Sequence, residues 1–344
     1  MTRRCLRMSS LLAAGFVIGG LRAAGPTLAP AEALPGLEAG RAHSAPDVTR
    51  DASSRRFTVF VALEQAHRVA LVSGPPWHLV RRVRVPAGPH NLIASPNDAY
   101  IAVTSPPAGA VSILDARSGR LLKSVRVGGY PHDVVFGATS RTLWVTAERA
   151  QRLVELAVPS GRRLRSVATT GDPHDLDLDP RRHQLWVTID GSARVELRRA
   201  GSGALIARPE LGGAPHDVAV APGGRSVWFS NFSSGELTVV STQSRRPRAR
   251  LVAGAEPHHF VFGLGRLWVS DNGGGTLVRI DPAAGRVLGR TAVGPAPHHA
   301  TIAGERVLVA VHGNGRIAIV SRQGKLVGSL FVGAGPHGIA AVPG

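Results

Sequence analysis

From about residue 55 onward, apolar residues fall in short runs of four to eight, each ended by Gly, Pro, Asp or Asn. Gln184-Leu-Trp-Val-Thr-Ile-Asp190 and Ser226-Val-Trp-Phe-Ser-Asn231 are two such runs. Shorter ones follow, such as Leu237–Ser241 and Arg248–Val252. This length, with β-branched and aromatic residues between turn formers, predicts strands. Apolar residues at the 3.6 period of a helix are missing, which argues against stacked helix pairs.

The runs belong to a repeat. A Pro-His pair recurs at His90, His132, His174, His216, His258, His298 and His337, in steps of 42, 42, 42, 42, 40 and 39 residues. Trp144, Trp186, Trp228 and Trp268 keep nearly the same spacing. Four strands in about 40 residues make a propeller blade. Three strands precede the first Pro-His, near Arg56–Ala62, Arg68–Ser73 and Arg81–Val85, and one follows the last, Gly338–Val342. Joined, these make one more blade and leave no open edge. The expected fold is therefore all-β: a seven-bladed β-propeller of four-stranded antiparallel blades, its last blade closed by three N-terminal strands and one C-terminal strand.

Composition changes the picture at the N-terminus. Arg3, Arg4 and Arg7 precede the apolar stretch Leu11–Leu21, and Ala31-Glu32-Ala33 offers a small-x-small cleavage site. Residues 1–33 thus read as an export signal, by the general or the twin-arginine route, and 34–54 as a disordered lead-in to a propeller over 55–344. The apolar run is short for a bilayer, so no transmembrane span is expected after processing. The one cysteine, Cys5, lies ahead of that run, which leaves the processed chain without thiol or disulfide chemistry. The formal charge is +18 and, apart from Lys123 and Lys325, the basic residues are arginines. They are spread through every repeat with few stacking aromatics, so specific nucleic-acid binding is not expected. A solvated basic surface is the plain reading; an anionic polymer of the cell envelope is the alternative partner. A monomer is expected.

Candidate chemistry follows from the ring. The seven histidines open the inner strands and should gather at one channel mouth, joined by residues ending the second strands: Glu64, Thr104, Glu148, Asp190, Asn231, Asp271 and His312. Imidazoles ringed by carboxylates suit a divalent metal, and a ring mouth suits a small-molecule or peptide ligand. A residue present in every blade also fits a structural role, and both readings stand. The breaks in the repeat carry more information: Glu256 ahead of His258, and the doubled pairs His258-His259 and His298-His299. By strand alternation His259 and His299 should face away from the channel, packing between blades.

The Pro-His, turn and Leu-Trp-Val-Thr pattern over residues 55–344 resembles the YVTN-type repeat propellers and the virginiamycin B lyase-like family. That resemblance implies a magnesium-dependent C–O lyase. In it His216, Glu256 and Asp271 would hold the metal and His258 would act as general base, opening a cyclic depsipeptide by elimination. Three functions are thus in play: an exported propeller binding a ligand or divalent metal at the histidine-lined mouth, that lyase, and an envelope scaffold.

Overall fold

The computed structural model describes residues 55–344; the expected signal peptide and lead-in lie outside them. Among the described residues, seven sheets of four strands each run in simple antiparallel order. Blade 1 spans residues 92–126, blade 2 131–168, blade 3 173–207, blade 4 218–252, blade 5 257–292 and blade 6 297–331. Blade 7 has strand Pro336–Pro343 innermost, followed by Phe57–Leu63, Arg68–Gly74 and His78–Arg84. The inferred closure therefore holds. Phe57 pairs with Pro343, and the register continues to Leu63 opposite Pro336.

Each second strand is buried along nearly its whole length. Trp144, Trp186, Trp228 and Trp268 are 0–2 % exposed and pack into the core of the following blade; Trp228, for example, joins Phe260, Leu267 and Val278 of blade 5. A side chain of this size buries about 150–250 Å². At about 25 cal/mol per Å² that is roughly 4–6 kcal/mol per indole, an upper bound. The Trp repeat is thus a wedge between blades.

Arginine supplies a second contact between blades. Arg163 donates to the Val127 carbonyl at 3.0 Å and Arg82 to that of Val332 at 2.8 Å. Arg250 and Arg290 likewise donate to Leu211 and Ala253. In each case a guanidinium on an outer strand grips the chain leaving the preceding blade. Part of the basic composition is therefore structural.

Inner strands start with an extra residue. Pro131, Pro173, Pro257 and Pro297 lie opposite Ala147, Ile189, Asp271 and Val311, yet the next partners come three residues later on the inner strand and two on its neighbour. A β-bulge of this kind re-aims side chains. Here it sits on the His-x pair of every motif, and it decides what faces the channel.

Candidate functional site

The seven Pro-His imidazoles form a closed ring. Going round from His90, successive ring centroids lie 4.7, 3.9, 4.2, 5.0, 4.6 and 4.3 Å apart, and His337 returns to His90 at 3.6 Å. The bulge turns the following residue inward as well. A second tier therefore lies beside the ring, made by Asn91, Asp133, Asp175, Asp217, His259 and His299, all lining a channel cavity of about 310 Å³. The seventh position is Gly338. A Cβ there would lie 2.5 Å from the Leu92 nitrogen and 2.6 Å from the His90 oxygen, so only glycine admits the close approach that shuts the ring. His259 and His299 thus correct the expectation from strand alternation: they stack at 3.9 Å inside the channel, and His299 lies 5.1 Å from His337.

Hydroxyls lock the tiers in place. Thr188 accepts the Asp175 N–H at 2.9 Å and donates to the His216 carbonyl of the next blade at 2.8 Å. Thr104 and Thr146 make the same pair of bonds to Asn91 and His132, and to Asp133 and His174. Ser230 repeats it for Asp217 and His258. Ser270, Ala310 and Ala62 occupy this position in blades 5 to 7, where Ser270 has no partner for its hydroxyl. Thr104 is therefore a buried latch and not a rim residue.

The rim position lies two residues further on. It carries Glu64, Pro106, Glu148, Asp190, Phe232, Asn272 and His312, and the N–H of most of these bonds to the residue before the motif proline, as Glu148 does to Tyr130 and Asn272 to Glu256. Asn231 and Asp271 fall one residue short of the rim, where the other blades have Leu63, Ser105, Ala147, Ile189 and Val311. Asp271 is 3 % exposed. Its Oδ1 accepts N–H groups from Ala255, Glu256 and Gly274, and its Oδ2 accepts the Thr276 hydroxyl at 3.3 Å. Three groups have ligand atoms within 4.8 Å of one another: His258–His298–His337, Glu64–His90–His337 and His132–His174–Asp175. Those groups could hold a metal ion. His216 and His258 are ring neighbours, but no such group joins His216, Glu256 and Asp271 among the described residues.

The second-tier carboxylates differ in their duties. Asp133 accepts the Leu176 N–H of the next blade at 3.0 Å, and Asp217 that of Phe260 at 3.2 Å. Asp175 has no such partner, because Asp217 itself takes the Val218 N–H. It turns to the imidazoles instead: His174 Nδ1 donates to it at 3.0 Å, with His132 at 3.4 Å and His216 at 3.8 Å. Nothing in the sequence separates Asp175 from its neighbours, since blades 2, 3 and 4 all read Pro-His-Asp.

Burial governs the protonation states. It pushes the Asp133 carboxyl up to about 8, helped by the Asp175 charge, and raises Asp217 well above the carboxylate range. Burial opposes ionisation of Asp175 too, but His174 and His132 hold it well below its ordinary value. His174 is the counterpart: desolvation would lower it, yet Asp175 carries it up to about 9. The other ring imidazoles that burial shifts are neutral, including His216 on the Asp175 side, which it takes down to about 4. Burial and neighbouring imidazoles lower His258 and His337 well below the usual value and bring His298 to about 3. Nδ1 of every ring histidine but His174, and of His259 in the second tier, is buried without a hydrogen-bond partner. A buried polar atom left unpaired costs about 1–3 kcal/mol, so seven around one channel point to something that they bind.

Residues 24–343, which include nearly all of the repeat, match one family model. The chain belongs to the YNCE-like beta-propeller family. None of the curated proteins compared with it matches. Among solved structures, this YNCE-like propeller is similar to the periplasmic gluconolactonase PpgL of Pseudomonas aeruginosa at 18 % identity and a TM-score of 0.68, over 83 % of this chain and 99 % of that one. Apo AztD from Citrobacter koseri gives 15 % and 0.66, over 84 % and 98 %. A functionally unknown protein from Desulfotomaculum acetoxidans gives 11 % and 0.73, over 83 % and 98 %. At such identities the likeness establishes the fold alone.

Proposed function

We propose that this YNCE-like propeller is an exported binding protein whose histidine-lined channel mouth takes a divalent metal ion, alone or as the anchor of a small ligand. The observation that carries this reading is the set of partnerless Nδ1 atoms around the ring, since neutral imidazole is a good metal ligand. Glu64, Glu148 and Asp190 at the rim support it, because they place negative charge where a cation must enter a protein of formal charge +18. Export fits the basic, then apolar N-terminal sequence and the periplasmic gluconolactonase among its structural likenesses. Metal analysis and titration of the purified protein test the reading. Uptake of about one equivalent is expected, and no bound or titratable divalent metal would sink it.

The lyase resemblance gives a competing proposal, with His216, Glu256 and Asp271 holding magnesium and His258 as base. Its support is local: Glu256 donates its backbone N–H to Asp271 Oδ1 at 2.9 Å, which holds the two residues side by side. Glu256→Ala separates the two readings. It should abolish metal uptake under the lyase arrangement and leave it within about threefold if the ring imidazoles are the ligands. An envelope scaffold that binds polyanions through its outer arginines is the third reading. Its association with anionic envelope polymers should weaken steeply between low and physiological salt.

A further inference from the structure

The ring is regular in sequence and uneven in chemistry. On the side of blades 2 to 4, Asp175 takes the His174 Nδ1–H at 3.0 Å and stands within 3.8 Å of His132 and His216. On the side of blades 5 to 7 no carboxylate takes this part. Glu64 is the acid on that side grouped with ring histidines, and it is engaged by His312 at 3.3 Å. There His258, His298 and His337 present imidazoles with centroids 4.6, 4.3 and 6.0 Å apart. Their ligand atoms all lie within 4.8 Å of one another, and each Nδ1 is buried and unpartnered. His337 is 2 % exposed, so water from bulk does not satisfy it.

Three nitrogens around a tetrahedral ion with metal–nitrogen bonds of about 2.0–2.1 Å stand roughly 3.3 Å apart. From separations of at most 4.8 Å, the three nitrogens need to draw in by up to about 1.5 Å to reach that spacing. A donor set of imidazoles without a carboxylate suits zinc, cobalt, nickel or copper and serves magnesium and calcium poorly.

We propose that the channel holds one late first-row transition-metal ion in the His258–His298–His337 sector, through imidazole nitrogens alone, with its remaining coordination left to water or an incoming ligand. This rests on the metal-binding reading of the mouth and narrows it to three residues and one class of metal. The sector also explains a departure from the repeat. His299, 6.0 Å from His258 and 5.1 Å from His337, puts a further imidazole beside the site where blades 1 to 4 carry aspartate or asparagine. It keeps negative charge away from the proposed metal ligands.

Cobalt(II) is the probe, added to metal-stripped, untagged full-length protein and followed by its visible d–d absorption. One equivalent should give the bands of a nitrogen-ligated ion of low coordination number. Stoichiometric zinc should bleach them, and a large excess of magnesium should not. His258→Ala and His298→Ala should each weaken cobalt binding on the order of 100-fold or more, whereas Asp175→Asn should stay within about threefold. If an alanine variant loses its folded circular dichroism, His298→Asn carries the same test with less lost volume. Loss of binding in Asp175→Asn with His298→Ala spared would overturn the proposal by moving the ion to the other sector, and the metal-binding reading of the mouth would survive. Displacement of cobalt by magnesium would overturn it as well. Absence of any cobalt or zinc uptake would remove both.

Discussion

At the residue scale, the small hydroxyl near the end of the second strand in blades 1 to 4 does more than a strand-former needs to do. Thr188 satisfies a backbone N–H in its own bulge and donates to the carbonyl of the neighbouring blade's histidine. Thr188→Val keeps shape and β-branching but strands the buried Asp175 N–H. A loss of about 1–3 kcal/mol is expected in urea unfolding, with Thr188→Ser recovering most of it. If the valine variant unfolds at the wild-type midpoint, the latch has no energetic weight. The sequence displayed this residue plainly as the Thr of Leu-Trp-Val-Thr, yet its role was hidden because the partner lies 28 residues away on another blade.

At the element scale, the blades and their closure are readable from repeat spacing and strand length alone. A repeat reports its own boundaries, and the split blade follows from counting strands at both ends. What the pattern did not reveal was the bulge. One extra residue after each motif proline breaks the two-residue alternation, so His259 and His299 turn into the channel instead of away from it. Polarity misled in the opposite sense at Asp271, which ends its strand as expected but, instead of facing the channel rim, is a buried acceptor for three backbone N–H groups. Gly338 shows how tight the bulge is where the closing strand meets blade 1. Gly338→Ala puts a methyl against the backbone of His90 and Leu92, and should cost about 1–3 kcal/mol through overpacking. Thermal melts would show this as a lower, broader transition; an unchanged melting temperature would mean that the closing strand has room to move.

At the scale of the whole molecule, buried charge couples stability to pH. The folded-state values of His174, about 9, and Asp133, about 8, both lie above their ordinary values, and Asp217 is raised in the same direction. Each group therefore holds its proton more tightly folded than unfolded. Its contribution is fully present below the unfolded pKa and is lost as pH rises through the folded one. The metal-free protein should lose stability steadily between about pH 7 and pH 9.5, with a falling urea midpoint. Asp175→Asn should flatten the part due to His174, and the NMR titration of that imidazole should move to lower pH. A midpoint that climbs across this range would contradict the assignment of these protons.

The closing strand also sets an order of events. Pro336–Pro343 leaves the ribosome after every other strand of the ring, and it carries His337. Until it docks beside Phe57–Leu63, blade 7 lacks its inner strand and the circle of imidazoles is a crescent. A three-histidine site that includes His337 does not exist in the growing chain. An ion held as proposed by His258, His298 and His337 therefore cannot be captured during synthesis and can bind only after the last strand has docked.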